Sequence, residues 1–234
     1  ASLRAQKPLV RVYSEEENKN IIFLLDVSSS MSYSSHEKLK NEYAAELVST
    51  LSYALSSSGD AMGLVMFTDK MVTIVPPNVG RPQFMRILRE VSNPANYEGK
   101  FDLTNALIQF VSYRKTPCVV ILISDFIGLK PGWEETLRRM AVMRYEIFGI
   151  AVRDPVDDKF PDEHFIGQVV INDPFSAEQM LMDPNKVAKK YVEHNVHEMQ
   201  KVKEVFRRSG SRFIVLHTNE PFLDKARRFF AGGL

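Results

Sequence analysis

The chain lacks several things at once, and each shortage excludes a class of protein. Its 234 residues hold one cysteine, Cys118, so no internal disulfide can form and the chain suits a reducing compartment. Long apolar runs are missing: Ile21–Leu25 and Cys118–Ile123 fall far short of the ~20 residues that cross a bilayer. No charged-then-apolar leader opens the chain. Charge excess is missing too. Thirty Lys plus Arg against 29 Asp plus Glu leave a formal net charge of +1, whereas a protein that coats phosphates carries a basic surplus. There is no internal repeat and no low-complexity tract. Transmembrane, collagenous, disordered and disulfide-scaffold readings all fall away. The expectation is a cytoplasmic segment with no nucleic-acid partner and no membrane contact of its own. The chain opens on Ala1 and not Met, which suggests a piece of a longer parent, one that could be membrane-tethered through sequence ahead of it.

What is present is core material, 44% hydrophobic residues with 25% charged. Short apolar runs recur at Ile21–Leu25, Met62–Phe67, Val119–Ile123, Ile147–Val152 and Phe213–Leu216, each with the length and composition of a strand buried on both faces. Helical stripes lie between them. Leu39, Tyr43, Ala44, Leu47, Val48, Leu51, Ala54 and Leu55 repeat at three and four and stop near Gly59. Leu103, Ala106, Leu107, Phe110 and Val111 make a second stripe. Trp133, Leu137, Met140 and Ala141 make a third, after Pro131. Val187–Phe206 is the longest, carrying Val187, Tyr191, Val192, Met199, Val202, Val205 and Phe206, with Gly210 as its stop. Pro221 opens a last helix with Phe222, Leu223, Ala226, Phe229 and Phe230. Strand alternating with helix implies an α/β, Rossmann-like, doubly wound and mostly parallel sheet with helices on both faces. Met71–Val75 follows Met62–Phe67 across a short turn, as an antiparallel edge strand would. Residues 154–183, with Pro155, Pro161 and Pro174 and the runs Val169–Ile171 and Met180–Met182, read as an inserted hairpin. The expected organisation is a lead-in over 1–18 and one domain over 19–234.

In such a sheet, ligands bind beyond the carboxyl ends of the central strands, where the strand order reverses. Two strands here end in acid. The first runs into Asp26-Val27-Ser28-Ser29-Ser30-Met31, the second through Ser124 into Asp125. If they are neighbours, Asp26 and Asp125 share one crevice, and such carboxylates repel unless a positive charge lies between them or one takes up a proton. Ser28 and Ser30, at alternate positions, can turn to the same point. Oxygen donors of low total charge suit a hard ion such as Mg²⁺.

The Asp-x-Ser-x-Ser spacing after a hydrophobic strand resembles the metal-ion-dependent adhesion site (MIDAS) of von Willebrand factor A-type (vWA) domains. The resemblance covers nearly the whole chain, through Asp26–Ser30, the long helix, Gly63–Phe67 and Ile123–Asp125. The chain is also similar to the bacterial family of unknown function numbered fifty-eight, on Val10-Arg11-Val12-Tyr13-Ser14-Glu15-Glu16-Glu17, Pro161-Asp162, Asp173-Pro174 and Tyr191. That resemblance implies a protein-interaction adaptor acting with a MoxR-type AAA+ ATPase, with Asp26, Ser28, Ser30 and Asp125 as ligands of Mg²⁺ and no catalytic residues. In one place the pattern breaks. Aligned on Gly99, Asp102-Leu103 and Ala106-Leu107, the usual threonine ligand position is Phe101, which has no oxygen to give. Thr104 lies one turn further along, and Asp102 reads as a helix N-cap.

Two other readings compete with the adaptor. A metal-dependent phosphoryl-transfer or hydrolytic enzyme would use the two carboxylates around Mg²⁺. Against it, Ser28 stands where an Asp-x-Asp motif needs its second acid, and no phosphate loop, nucleophile elbow or dinucleotide fingerprint follows a strand. A metal-free scaffold would follow if Phe101 has retired the site. His194 and His197 beside Glu193 and Glu198 read as a solvated helix face. The pairs Arg138-Arg139, Arg207-Arg208 and Arg227-Arg228 read as solvated helix ends, and Met180, Leu181 and Met182, like Trp133, read as packing.

Overall fold

The computed structural model describes residues 19–158, 169–172, 179–182 and 184–231. A six-stranded sheet is built from β1 (Asn20–Asp26), β2 (Ala61–Phe67), β3 (Met71–Asn78), β4 (Val119–Ser124), β5 (Glu146–Arg153) and β8 (Arg212–His217). Its order is β3-β2-β1-β4-β5-β8. All neighbours are parallel except β2 and β3, which pair antiparallel at the edge. This is the Rossmann-type arrangement that the alternation implies, and the vWA-like one that the resemblance implies. Every residue of β4 is buried and β1 is buried from Ile21 onward, as parallel strands covered on both faces must be. The other edge strand, β8, departs from that expectation. Phe213–Val215 are only half-buried, because an edge strand has a neighbour on one side alone.

The alternation of side chains along each strand divides the core in two. Ile21, Phe23 and Leu25 join Tyr43, Ala44, Leu47 and Val48 of α1 (Lys40–Leu55), Ile87 and Val91 of α2 (Gly80–Val91), and Ala226 of α7 (Leu223–Phe230). Ile22 and Leu24 join Leu103, Ala106, Leu107 and Phe110 of α3 (Leu103–Tyr113). On that same face lie Trp133, Leu137 and Met140 of α4 (Trp133–Val142), and Met199, Val202 and Phe206 of α6 (Pro184–Arg208). Leu223, expected on the buried stripe of the last helix, is exposed instead.

Within the expected excursion over 154–183, β6 (Val169–Asn172) pairs antiparallel with β7 (Gln179–Met182), and a single turn of helix, α5 (Pro155–Asp158), precedes them. The lead-in over 1–18, Pro161-Asp162, Asp173-Pro174 and the side chains of Met180, Leu181, Met182 and Tyr191 lie outside the described residues. The helix α2 has no counterpart in the sequence reading. Gly80 and Pro82 sit in its first turn, where proline is tolerated, and only Gln83, Ile87 and Val91 are buried. Gln83 is buried because its amide donates to the carbonyls of Met62 and Pro76, 2.8 Å each. Polar residues with caps that resemble a loop hid a helix whose Phe84, Ile87, Leu88 and Val91 do recur at helical spacing.

One close approach sets the spacing of α6 on the sheet. A Cβ added at Gly149 in β5 would lie 2.4 Å from Phe206 and 2.6 Å from Phe213, and these two rings themselves pack with centroids 4.8 Å apart. Gly149→Ala is therefore expected to lower stability by about 1–3 kcal/mol through overpacking, read as a reduced midpoint in urea unfolding. An unchanged midpoint would show that α6 can move off the sheet without cost.

Candidate functional site

The strand order reverses between β1 and β4: from β1 the chain proceeds outward to β2 and β3, then returns across the sheet to β4 and β5. A crevice at their carboxyl ends is the expected consequence. Leu25 pairs with Ile123, so Asp26 stands level with Ser124 and Asp125 follows one residue on. Asp26, Ser28 and Asp125 are fully buried and Ser30 nearly so. The structure thus brings the four sequence-predicted residues together at one end of the sheet.

Each donor already has partners. Asp26 Oδ1 accepts from the Ser28 N–H at 2.9 Å and Oδ2 from the Ser124 hydroxyl at 2.6 Å. The Ser28 and Ser30 hydroxyls lie 3.1 Å apart, bonded to one another. Asp125 Oδ1 accepts from the Ile127 N–H at 3.0 Å. Its Oδ2 lies 2.6 Å from the ammonium of Lys40, which is itself 1% exposed. The same ammonium reaches Asp157 Oδ2 at 3.3 Å. Phe101 is buried in the second core cluster, tilted against Phe67 with centroids 6.5 Å apart. The hydroxyl of Thr104 points elsewhere, to the Pro131 carbonyl at 3.4 Å, and Asp102 caps α3 through the Asn105 N–H at 3.0 Å.

The loop from Asp26 to Leu39 is fastened on both sides. Toward α3, the Ser29 N–H and hydroxyl both donate to the Gly99 carbonyl, at 3.0 and 3.1 Å. Gly99 has φ of 145° and touches Thr68 so closely that a Cβ there would lie 2.9 Å from its methyl. Toward β5, Asp154 accepts from the Ser35 N–H at 2.8 Å and the Ser34 hydroxyl at 3.1 Å. Beneath the loop, Arg153 donates to the carbonyls of Asp125 and Asp157, at 3.0 and 3.1 Å, and to Asp158 Oδ1 at 3.0 Å. Asn195 of α6 donates to the Asp157 carbonyl at 2.8 Å. His217 at the end of β8 contacts the other oxygen of Asp158 at 2.8 Å. Strand tips and helix ends from both faces therefore meet in one ionic network.

The electrostatics follow from this geometry. Burial, reinforced by the Asp125 charge, raises Asp26 to about 7 against the hydrogen bonds from Ser124 and Ser28 that favour its anion. For Lys40, burial lowers the pKa, but the charges of Asp125 and Asp157 outweigh it and the net movement is upward. Burial pushes Asp157 up despite the opposing influence of Lys40 and Arg153. For Asp154 burial is outweighed by its Ser35, Val156 and Ser34 donors, and its carboxyl stays below the usual range. Both ways of relieving two close carboxylates occur together: a cation beside Asp125 and proton affinity at Asp26.

A match to a family model described as "Protein of unknown function DUF58" runs over residues 1–202. The chain belongs to the DUF58 family. An uncharacterized protein of Mycobacterium tuberculosis (strain H37Rv), Rv1480, is 26% identical over 237 residues, which takes in 97% of this DUF58 chain and 71% of that protein. A Mycobacterium bovis protein, Mb1516, matches to the same extent. Among solved structures, the conserved hypothetical protein BatB from Bacteroides thetaiotaomicron superimposes with a TM-score of 0.59 at 13% identity, over 92% of this chain and 98% of that one. An aerotolerance-related membrane protein from Bacteroides fragilis gives 0.57 at 13% identity, over 92% and 100%. At that identity the likeness concerns the fold.

The DUF58 chain holds two site residues that sequence reasoning passed over, Lys40 and Arg153. A signal existed for the lysine. It opens α1, where the helix dipole disfavours a cation. Arg153 ends a third strand in charge, in the run Arg153-Asp154-Pro155-Val156-Asp157-Asp158. The weaker sequence signals resolve as expected. His194 and His197 are exposed. Arg138 and Arg139 pair with Glu135, and Arg207 and Arg208 with Glu204, at the surface. Trp133 is buried, 6.4 Å from the Phe206 ring.

The raised pKa of Asp26 makes stability depend on pH in a definite direction. Below the unfolded value of 3.8 the carboxyl is protonated in both states. Between there and about 7 the native state holds a proton that the unfolded chain has lost, so stability from this group declines as pH rises through that window. The urea midpoint of the wild type is expected to fall between about pH 4.5 and pH 7, and that of Asp26→Asn to fall less. Parallel pH curves for the two proteins would show that Asp26 ionises as an ordinary carboxyl.

Proposed function

We propose that this chain is a non-catalytic protein-interaction module whose docking surface is the carboxyl edge of its sheet, with a MoxR-type AAA+ ATPase as partner. One observation carries the reading. The Asp26–Leu39 loop is clamped to Gly99 on one side and Asp154 on the other, and it presents exposed Ser32, Tyr33, His36 and Glu37 beside exposed Lys100, Gly128 and Lys130. A preorganised loop loses little entropy when it docks. Catalysis is disfavoured by the same geometry, because Asp26, Asp125 and Asp154 are all 0% exposed and are spent on internal hydrogen bonds. Among the described residues, no group of three or more His, Cys, Asp or Glu side chains is placed to hold a metal ion, and no helix is long and apolar enough to cross a membrane. The choice of ATPase rests on the family likeness.

Magnesium at Asp26, Ser28, Ser30 and Asp125 is a second reading. The convergence of the four donors favours it. The pairing of Asp125 with Lys40 and the phenyl ring at position 101 oppose it.

The test is surface plasmon resonance against the purified MoxR-type ATPase of the same organism, with Mg²⁺ and then with EDTA. The wild type is expected to bind in both buffers, and Tyr33→Ser with Lys100→Glu to weaken binding about tenfold or more, as loss of interface anchors does. Binding that the double variant leaves untouched would move the docking surface elsewhere. No binding by the wild type would remove the proposed partner.

A further inference from the structure

The donors of this site do not fit a divalent ion as they stand. Asp125 is paired at 2.6 Å with an ammonium that is 1% exposed, both oxygens of Asp26 accept hydrogen bonds from the protein, and Phe101 supplies no oxygen. Lys40 and Asp157 are likewise joined beneath the loop at 3.3 Å. We propose that Lys40 is the built-in cation of the site: its tethered ammonium neutralises Asp125 and holds the serine loop closed, so that the chain assembles its docking surface without a bound metal. This goes beyond the docking proposal and stands or falls apart from it, since it concerns the charge under the loop and not what lands on top.

The groups facing the Lys40 ammonium come from every element packed around it. Asp125 follows β4, Asp157 lies on α5, and Arg153 ends β5 with its guanidinium held by the Asp125 and Asp157 carbonyls. On α1 itself the nearest acid, Glu42, is spent on the Leu39 N–H at 3.0 Å. The lysine thus answers to two buried carboxylates, and removing it takes away the ammonium that contacts the buried Asp125 carboxyl group. A charge left there is costly, and a hard divalent ion drawn to oxygen donors relieves it.

The experiment uses Mn²⁺ alone as probe, by titration calorimetry and by its effect on the melting temperature, on the wild type, Lys40→Met, Lys40→Met with Asp125→Asn, and Lys40→Met with Asp26→Asn. The wild type is expected to show no saturable Mn²⁺ binding below millimolar concentration and no change in melting temperature with Mn²⁺ or EDTA. Lys40→Met should be destabilised, bind Mn²⁺ about tenfold or more tightly than the wild type, and be restored by it; tenfold corresponds to about 1.4 kcal/mol. Adding Asp26→Asn should abolish the metal response. If Lys40→Met fails to fold, folding of the metal-free Lys40→Met, Asp125→Asn pair still supports the proposal, because only the charge would then have been at fault. The proposal is overturned if the wild type binds Mn²⁺ saturably and is stabilised by it. It is equally overturned if folded Lys40→Met binds no more tightly than the wild type, or if Lys40→Met and its pair with Asp125→Asn are both unfolded, which would make the lysine a packing residue only.

Discussion

Carrying carboxylates at the tips of neighbouring buried parallel strands is the constraint around which the rest of this molecule is arranged. Asp26 and Asp125 are fully buried at the ends of β1 and β4, so each must be protonated, hydrogen-bonded or paired. Asp26 receives a hydroxyl and an N–H; Asp125 receives an N–H and the Lys40 ammonium; Asp154 receives the Ser34–Ser35 segment. Each solution recruits a different part of the chain. The loop, the start of α1, the end of β5 and α5 are held together because the same few charges need them all.

That arrangement links fold to function through rigidity. The loop over the crevice is fastened at Gly99 and at Asp154, and its inward residue Met31 is fully buried, so its outer residues present a fixed surface. A buried ion network is weak evidence of net stability, because desolvation offsets much of the Coulomb gain. Its contribution is better seen as specification. Lys40 and Arg153 tie the end of β4, the start of α1 and α5 to one another, and so fix the ground on which the loop rests.

The family and its fold relatives supply a frame for the chain but no site chemistry. DUF58 membership is established over residues 1–202, and the BatB and aerotolerance-related structures share the architecture at 13% identity. The site chemistry is read from this chain's own residues: a phenylalanine at position 101, where the resemblance leads one to expect a hydroxyl donor, and a lysine tied to the acid at the end of β4.

The strands of the main sheet, five of the helices and the antiparallel edge were legible because burial writes itself into hydrophobic periodicity, which is a local signal. The convergence of Asp26, Ser28, Ser30 and Asp125 was legible as well, since acids closing two apolar runs share an edge whenever those strands are neighbours. The helix over Gly80–Val91 was not read, because Gly80, Pro82 and the buried amide of Gln83 look like a loop until their partners are in place. Lys40 and Arg153 belong to the same class. A buried charge is defined by what faces it across 85 residues (for Lys40 and Asp125) or 28 (for Arg153 and the Asp125 carbonyl), and no periodicity along the chain records that distance. Composition and pattern determined the sheet and where its acids would gather. Only the tertiary structure decided which cation answers them, because counter-charge is set by proximity in space and not by order in sequence.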